Sequence, residues 1–440
     1  MSPLSDAMTA SARRKVCVVG AGYVGLPSAG VLARRGHEVI LAERDPSRLA
    51  KLLAGEVPIL EPGLDQLLAE GREAGRLQFE ASAAKAVVEC DFVFLCVPTP
   101  QGDDGSADLS FIEAAAAEIS PHLRAGAVVV NKSTVPVGTV DLVTRIINRS
   151  DVSVVSSPEF LREGTAVADS LAPDRIVVGA DNRRVGMEVA ELFGTSGTQV
   201  VVTTPTTAEM IKYASNAFLA AKLSFINEIA TICEAAGADI KDLVWAMGLD
   251  HRIGGEFLNP GPGWGGSCFP KDTQALVSIS KDLGHDFDLL TAVIESNERQ
   301  FDHIVDKVAA VVGDLSEATI GIWGLAFKAN TDDRRSSPAV TIAQRLVATG
   351  ARVQAFDPTV SAKDAAAPDL AGIEICADAY GAAAGAGAVV VLTEWPDFLL
   401  LDLDKVGEIM ERKAIIDGRN VLDPALVRLH GFSYTGVGRS

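Results

Sequence analysis

Short apolar runs alternate with longer stretches of helical periodicity along this chain, and their order predicts an α/β protein. Lys15–Gly20 (KVCVVG) is apolar, Val-rich and of strand length. Leu26–Arg35 repeats its apolar positions at helical spacing, Gly36 ends it, and His37–Glu43 (HEVILAE) reads as a second strand. Asp91–Val97, Ala127–Asn131 and Val152–Ser156 are further apolar runs, each followed by a polar or Pro/Gly-containing loop: PTPQGDDG, KSTVPVGT and SPEFLREGTA. Strands apolar on both faces belong to a parallel sheet covered by helices. The longest helical signal, Thr207–Ala236, is Ala-rich and apolar on more than one face. It is expected to be largely buried, within the fold or against a second copy. Helices at Leu276–Asp282 and Leu289–Val312 follow.

The pattern then returns to its beginning. A strand at Thr319 (TIGIWGLAF) precedes a helix at Thr341–Thr349, Gly350 and the strand ARVQAFDP, which echoes HEVILAERDP. Ala388–Trp395 (AVVVLTEW) echoes DFVFLCVPTP, and Ala414–Asn420 (AIIDGRN) echoes AVVVNKS. The expected architecture is two Rossmann-like doubly wound parallel-sheet domains joined by a long central helix and a helical middle region. Residues 15–205 form the first, 206–312 the middle and 313–440 the last, after a disordered tail at residues 1–14.

Composition narrows the classes of function. With 440 residues, 48% hydrophobic and 22% charged, the chain has the make-up of a soluble globular protein of two or three domains. A net charge of -19 argues against nucleic acid or an anionic membrane as partner. A phosphate-bearing ligand must then be held by local cations and backbone amides. The six cysteines are scattered without a C-x-x-C pair, which fits a reducing cytoplasm better than a disulfide framework. The six histidines form no metal-like cluster, so no metal is expected. The first fourteen residues lack the apolar core of a signal peptide, and no apolar run approaches membrane-spanning length.

Three stretches carry candidate chemistry. GAGYVG (Gly20–Gly25) follows a strand and opens a helix, and the next strand ends in Glu43. In that context Gly20 makes the tight turn, Gly22 admits a pyrophosphate, and Gly25 lets helix and strand pack. Glu43 stands where a carboxylate accepts from the adenosine ribose and repels a 2′-phosphate, favouring NAD over NADP. Asn259–Thr273 (NPGPGWGGSCFPKDT) reads as a shaped loop holding Cys268 beside Lys271 and Asp272. A thiol near a cation can act as a nucleophile, the alternative being a buried structural cysteine. In the long helix, Lys212 and Asn216 share a face and Asn227 nearly returns to it, a poor arrangement for solvated residues. A helical turn would put Glu159 and Glu163 on one face, with helix capping from Ser157 the plainer reading. In the second half Lys328, Arg335 and Arg419 stand at strand ends, where cations clamp a diphosphate.

Taken in order, GAGYVGLP, CVPTP, STVPVGT, SPEFLREGTA, EMIKYASNAFLA, HRIGGEFLNPGPGWGGSCFPKDT, GLAFKANTDDRRSSP and IDGRNVLD resemble the UDP-glucose/GDP-mannose dehydrogenases from about Lys15 to Asp423. Two departures are small: Glu43 stands where Asp is commoner, and Arg334 precedes the family arginine, which aligns with Arg335. The resemblance implies oxidation of a nucleotide sugar's primary alcohol to the acid with two NAD in succession. UDP-glucose going to UDP-glucuronate is the expected case; GDP-mannose, UDP-N-acetylglucosamine and UDP-N-acetylmannosamine are the alternatives. Cys268 would carry a thiohemiacetal and then a thioester. Lys212 and Asn216 would stabilise oxyanion charge, and Asp272, Thr134 and Glu159 would manage water and its proton. Cofactor contacts are expected from Gly20, Gly22, Tyr23, Val24, Gly25, Glu43, Thr99, Thr134, Glu163, Lys271 and Arg335. Substrate contacts are expected from Glu159, Phe160, Leu161, Lys212, Asn216, Phe257, Gly265, Lys328 and Arg419. Arg252 would reach the site of a neighbouring subunit, in a homodimer or larger homo-oligomer. A two-electron hydroxy-acid dehydrogenase would need neither Cys268 nor the second α/β unit, and a non-catalytic NAD-binding protein would not need Cys268, Lys212, Asn216 and Asp272 together.

Overall fold

The computed structural model describes residues 13–102, 105–194 and 197–439, and the chain divides into two compact units, Met1–Ala214 and Ser215–Ser440. The expected tail lies outside the described residues up to position 12. Arg13 and Arg14 do not belong to it: Arg13 pairs with Glu38 at 3.1 Å, and the Arg14 carbonyl accepts from the Glu38 N–H.

The first unit is built on eight strands: β1 (Lys15–Val19), β2 (Glu38–Ala42), β3 (Leu77–Glu80), β4 (Phe92–Leu95), β5 (Val128–Asn131), β6 (Ser153–Ser156), β7 (Arg175–Gly179) and β8 (Gln199–Thr203). Their order is β3-β2-β1-β4-β5-β6-β7-β8. The first six are parallel and reverse direction of travel between β1 and β4, the switch point at which open α/β sheets bind ligands. The last two depart from the all-parallel expectation, since β7 meets β6 antiparallel through the single pair Ser156–Gly179. Side chains alternate between the faces of β1 as a two-residue period demands. Val16 and Val18 join Leu26 and Leu32 in one core, while Cys17 and Val19 join Val93, Leu95 and Val129 in the other.

The second unit repeats that plan. Strands β9 (Thr319–Trp323), β10 (Arg352–Phe356), β11 (Ile373–Ile375), β12 (Ala388–Val391), β13 (Ala414–Asp417) and β14 (Ser433–Gly436) lie in the order β11-β10-β9-β12-β13-β14. All are parallel, with the same switch between β9 and β12. The echoes of sequence between the two halves are therefore echoes of strand position.

The long helix runs Pro205–Ala236, and Ile240–Gly248, Phe269–Asp282 and Asp288–Val312 follow it. Two expectations change here. The Cys268 stretch is a loop only as far as the thiol, because Pro270 falls in the first helical turn, where its missing N–H is harmless. The long helix is also not covered all round: Phe218, Phe225 and Ile232, each seven residues apart, are exposed, as are Trp245 (69%) and Leu249 (68%). No helix among the described residues is long and apolar enough to cross a membrane.

Candidate active site

The glycine-rich turn after β1 has the shape a dinucleotide requires. Gly20 has φ 104° and lies against β4, where an added Cβ would stand 2.6 Å from the Cys96 carbonyl. At Gly25 a Cβ would fall 1.8 Å from the Gly20 carbonyl, so only glycine lets helix Gly25–Arg34 start there. A Cβ at Gly22 would meet nothing within 4 Å. That open position fits a pyrophosphate against the turn, with Tyr23 and Val24 half-buried beside it. Glu43 is buried directly after β2. Its oxygens accept from the Ala21 N–H at 3.0 Å and the Asp45 N–H at 2.8 Å, which ties the end of β2 to the turn.

The loops after β4, β5 and β6 hold one another. Thr99 Oγ1 donates to the Thr134 carbonyl (3.0 Å), and Ser133 Oγ donates to the Val97 carbonyl (2.7 Å). Glu159 and Glu163 sit in an irregular loop; helix begins only at Ala166, so they share no helical face. Glu159 is buried, accepting from Lys212 Nζ at 3.0 Å and from the Leu161 N–H. Burial opposes ionisation of its carboxyl, but the Lys212 ammonium and the Leu161 amide outweigh that and hold it below the usual carboxylate range. Phe160 lies under the Arg175 guanidinium, 4.0 Å from ring centroid to charge. Thus the first unit brings Glu159, Phe160, Leu161 and Lys212 into one cluster.

The second unit organises the cysteine. Cys268 is half-buried at the N-cap position of helix Phe269–Asp282, where aligned amides favour negative charge, and its Sγ is 3.6 Å from Ser267 Oγ. One turn on, Asp272 is buried between Asn216 (Nδ2 to Oδ2, 2.6 Å) and Lys271 (Nζ to Oδ1, 2.5 Å). The loop before the thiol is held by buried amide side chains. Asn227 accepts from the Gly261 N–H, Gln300 donates to the Gly261 carbonyl, and Asn297 pairs with both backbone groups of Trp264. Asn227 is thus a structural residue. Packing by itself demands glycine at three of these positions. A Cβ at Gly263, Gly265 or Gly266 would strike Phe301, the Ser336 carbonyl or Phe327 respectively.

Those contacts seat the cysteine loop on the loop after β9, with the Gly266 N–H bonded to the Ser336 carbonyl at 3.2 Å. Arg419, just past β13, donates to the Phe327 carbonyl of that loop and to Leu392, and pairs with Glu394. Lys328 is half-buried above the Phe327 ring. Cys268, Gly265, Lys328 and Arg419 therefore belong to one neighbourhood of the second unit. Phe257 joins it through a ring contact with Phe269, holding φ at 60°. Arg335 is exposed and chelates its neighbour Asp333, whereas Arg334 pairs with Asp364 and Asp369. Arg252 is exposed and paired with Asp250. The residue after β10, Asp357, accepts from the Leu325 and Ala326 N–H groups. A carboxylate of the chain itself thus occupies two amides of the turn after β9, where in the first unit Glu43 takes only that of Ala21.

Three buried groups were not singled out in the sequence, although Lys132 and Glu209 stand at the heads of KSTVPVGT and EMIKYASNAFLA. Glu61 accepts from the Gly164 N–H at the end of the loop carrying Glu159 and Glu163. Glu209 accepts from the Gly138 and Val140 N–H groups. Lys132, after β5, is buried with its ammonium 4.8 Å from the centre of the Phe193 ring, and burial draws it down to about 8. A cavity of 140 Å³ is lined by Lys132, Ser157, Glu159, Phe160 and Arg175.

Comparison with known proteins identifies the family. Models of the UDP-glucose/GDP-mannose dehydrogenase family match residues 14–196 (NAD binding domain), 206–299 (central domain) and 321–424 (UDP binding domain). A UDP-glucose 6-dehydrogenase of Rhizobium meliloti is 45% identical over 97% of this chain and 99% of its own. A Bacillus subtilis UDP-glucose 6-dehydrogenase is 43% identical over 97% and 93%. The solved structure of a UDP-glucose dehydrogenase from Pyrobaculum islandicum superposes with a TM-score of 0.90 at 38% identity, covering 98% and 99%. A UDP-D-ManNAc dehydrogenase from Pyrococcus horikoshii gives 0.86 at 27% identity over 97% and 99%. NAD is the cofactor, as the open glycine turn and the matching NAD-binding domain agree. With three domain models in sequence, full-length relatives and a doubled α/β plan, the chain belongs to the UDP-glucose/GDP-mannose dehydrogenase family.

Proposed function

We propose that this chain oxidises the primary alcohol of UDP-glucose to the carboxylate of UDP-glucuronate. The observation that carries the reading is Cys268 at the N-terminal edge of a helix, one turn before the hydrogen-bonded Asn216–Asp272–Lys271 group. NAD, when bound, accepts one hydride in each of two oxidations. Gly20, Gly22, Gly25 and Glu43 hold it, with Tyr23, Val24, Thr99, Thr134 and Glu163 beside them. Lys212 and Asn216 stabilise charge on the substrate oxygen as its proton passes to water held by Asp272, Thr134 and Glu159. The sulfur of Cys268 adds to the aldehyde carbon, giving a thiohemiacetal that does not escape. Its oxidation leaves a thioester on the sulfur. Water, its proton taken up by Asp272 or Glu159, then breaks the carbon–sulfur bond and returns the thiol.

Lys328 and Arg419 are the cations for the nucleotide diphosphate, with Gly265 and Phe257 in the pocket wall. Residues 15–205 form the NAD domain, 206–312 the helical middle and 313–440 the nucleotide-sugar domain. The exposed row Phe218, Phe225 and Ile232, with Trp245 and Leu249, supports pairing with a second copy of the chain, and exposed Arg252 is assigned to the partner's site. Six free cysteines support a cytoplasmic setting. Relatives named for UDP-glucose at 42–45% identity favour that sugar over N-acetylmannosamine, whose named relative stands at 27%.

The deciding experiment counts NADH released per sugar consumed across UDP-glucose, GDP-mannose, UDP-N-acetylglucosamine and UDP-N-acetylmannosamine, with Cys268→Ala alongside. Two NADH per UDP-glucose, and no acid from Cys268→Ala, are expected. One NADH, or full acid formation without the thiol, would overturn the proposal.

A further inference from the structure

Glu209 is buried, its place in the reaction so far unassigned, and it acts at a distance along the chain. It lies in the second turn of helix Pro205–Ala236, three residues before Lys212 and so on nearly the same side. Both of its carboxylate oxygens are in use: Oε2 accepts from the Gly138 N–H at 2.7 Å, and Oε1 from the Val140 N–H at 2.9 Å. Those amides open helix Thr139–Ile147, whose N-cap residue, Gly138 at φ 92°, has no side chain to cap it. A helix start normally takes its cap from a local Ser, Thr, Asp or Asn. Here the cap comes from the helix that carries Lys212. The other side of the same loop is tied down by Thr99 at Thr134 and by Val97 at Ser133. Thr134 thus lies on a segment with one anchor in the β4 loop and another on the Lys212 helix.

We propose that Glu209 is a positioning residue: it locks the loop carrying Thr134 onto the helix carrying Lys212, so that the two side chains keep one spacing through the reaction. This rests on the roles given to Thr134 and Lys212 above. A local cap would stabilise the helix equally well but would leave the loop free to shift relative to Lys212.

Glu209→Gln keeps the volume but turns an N–H donor toward one of the two amides, leaving an acceptor for only one of them. The expected result is a kcat lowered by about 30-fold with KM for UDP-glucose and NAD changed less than about threefold, since misplacement of about 1 Å already costs up to 100-fold. Amide exchange across residues 133–140 should quicken by about tenfold or more while β1 and β4 stay protected. The decisive comparison is a double-mutant cycle. If Glu209 acts through Thr134, Glu209→Gln should cost little further once Thr134→Ala is present. Glu209→Asp keeps the charge but reaches one amide, should fall between wild type and Glu209→Gln, and serves the same cycle if Glu209→Gln does not fold. Additive losses, or a kcat and loop exchange equal to wild type, would overturn the positioning role. A wild type that does not give two NADH per sugar would instead remove the reaction on which it rests, and the exchange measurement would still report whether Glu209 holds the loop.

Discussion

Replacing Gly265 with alanine tests whether the cysteine loop is held by packing. The new Cβ would lie 2.1 Å from the Ser336 carbonyl oxygen and 2.6 Å from Pro338 Cδ, against 3.4 Å for ordinary contact. Neither obstacle is a flexible side-chain end: one is backbone and the other a ring at the start of helix Pro338–Ala348. The loop must therefore retreat by about 1 Å, stretching the Gly266 to Ser336 hydrogen bond and moving Cys268, three residues on. Overpacking of this kind costs about 1–3 kcal/mol. For a unit of this size that lowers Tm by roughly 2–4 °C per kcal/mol. A nucleophile displaced by that distance should lose up to about 100-fold in kcat. The assay is steady-state NADH formation with UDP-glucose, together with thermal unfolding of the same samples. Gly22→Ala is the control, because beyond its own chain neighbours its new methyl meets nothing within 4 Å. It should keep the wild-type Tm and raise KM for NAD, with little change for the sugar. A Gly265→Ala enzyme with wild-type Tm and kcat would refute the claim that packing fixes this loop.

Three further outcomes can be checked directly. Glu43→Ala should weaken NAD by about tenfold or more and narrow its preference over NADP, because it removes a carboxylate and frees the Ala21 and Asp45 amides; kcat/KM for both cofactors measures this. Burial alone would raise the Glu234 carboxyl, but the His303 ring 3.2 Å away, the Lys307 ammonium and the Gly438 N–H hold it at about 2, against 4.5 for a free side chain. Its contribution, of order 2 kcal/mol after allowance for partial exposure, is complete above the unfolded value and lost as pH falls from about 4.5 to 2. Urea unfolding between these pH values should therefore show a flatter acid limb for Glu234→Gln. Trp245→Glu should shift the chain toward monomer in light scattering if the exposed row pairs copies, and mixed dimers of Arg252→Ala with Cys268→Ala chains should regain part of the activity lost by each.

Repetition and local turn chemistry were written plainly in the sequence. The apolar runs located β1, β2, β4, β5 and β6 within a residue or two, and the echo of HEVILAERDP in ARVQAFDP marked β2 and β10 as matching strands. Gly20, Gly22 and Gly25 were legible because a turn, an open face and a close helix contact each demand glycine locally. Cys268, Lys212, Asn216 and Asp272 stood out as groups an apolar or glycine-rich stretch does not otherwise need. What depended on distant contacts was not legible. The reversal of β7 against β6 follows from sheet pairing, which no local pattern encodes. Glu61, Lys132 and Glu209 look like surface residues until the fold buries them and brings amides, rings or open space to their ends. The glycines of the cysteine loop are pressed by Phe301, Ser336 and Phe327, residues 38 to 71 positions away that only tertiary packing brings near. A side chain's own chemistry is local and can be read in one dimension; its burial, its partner and therefore its charge are set by neighbours that the chain meets only once folded.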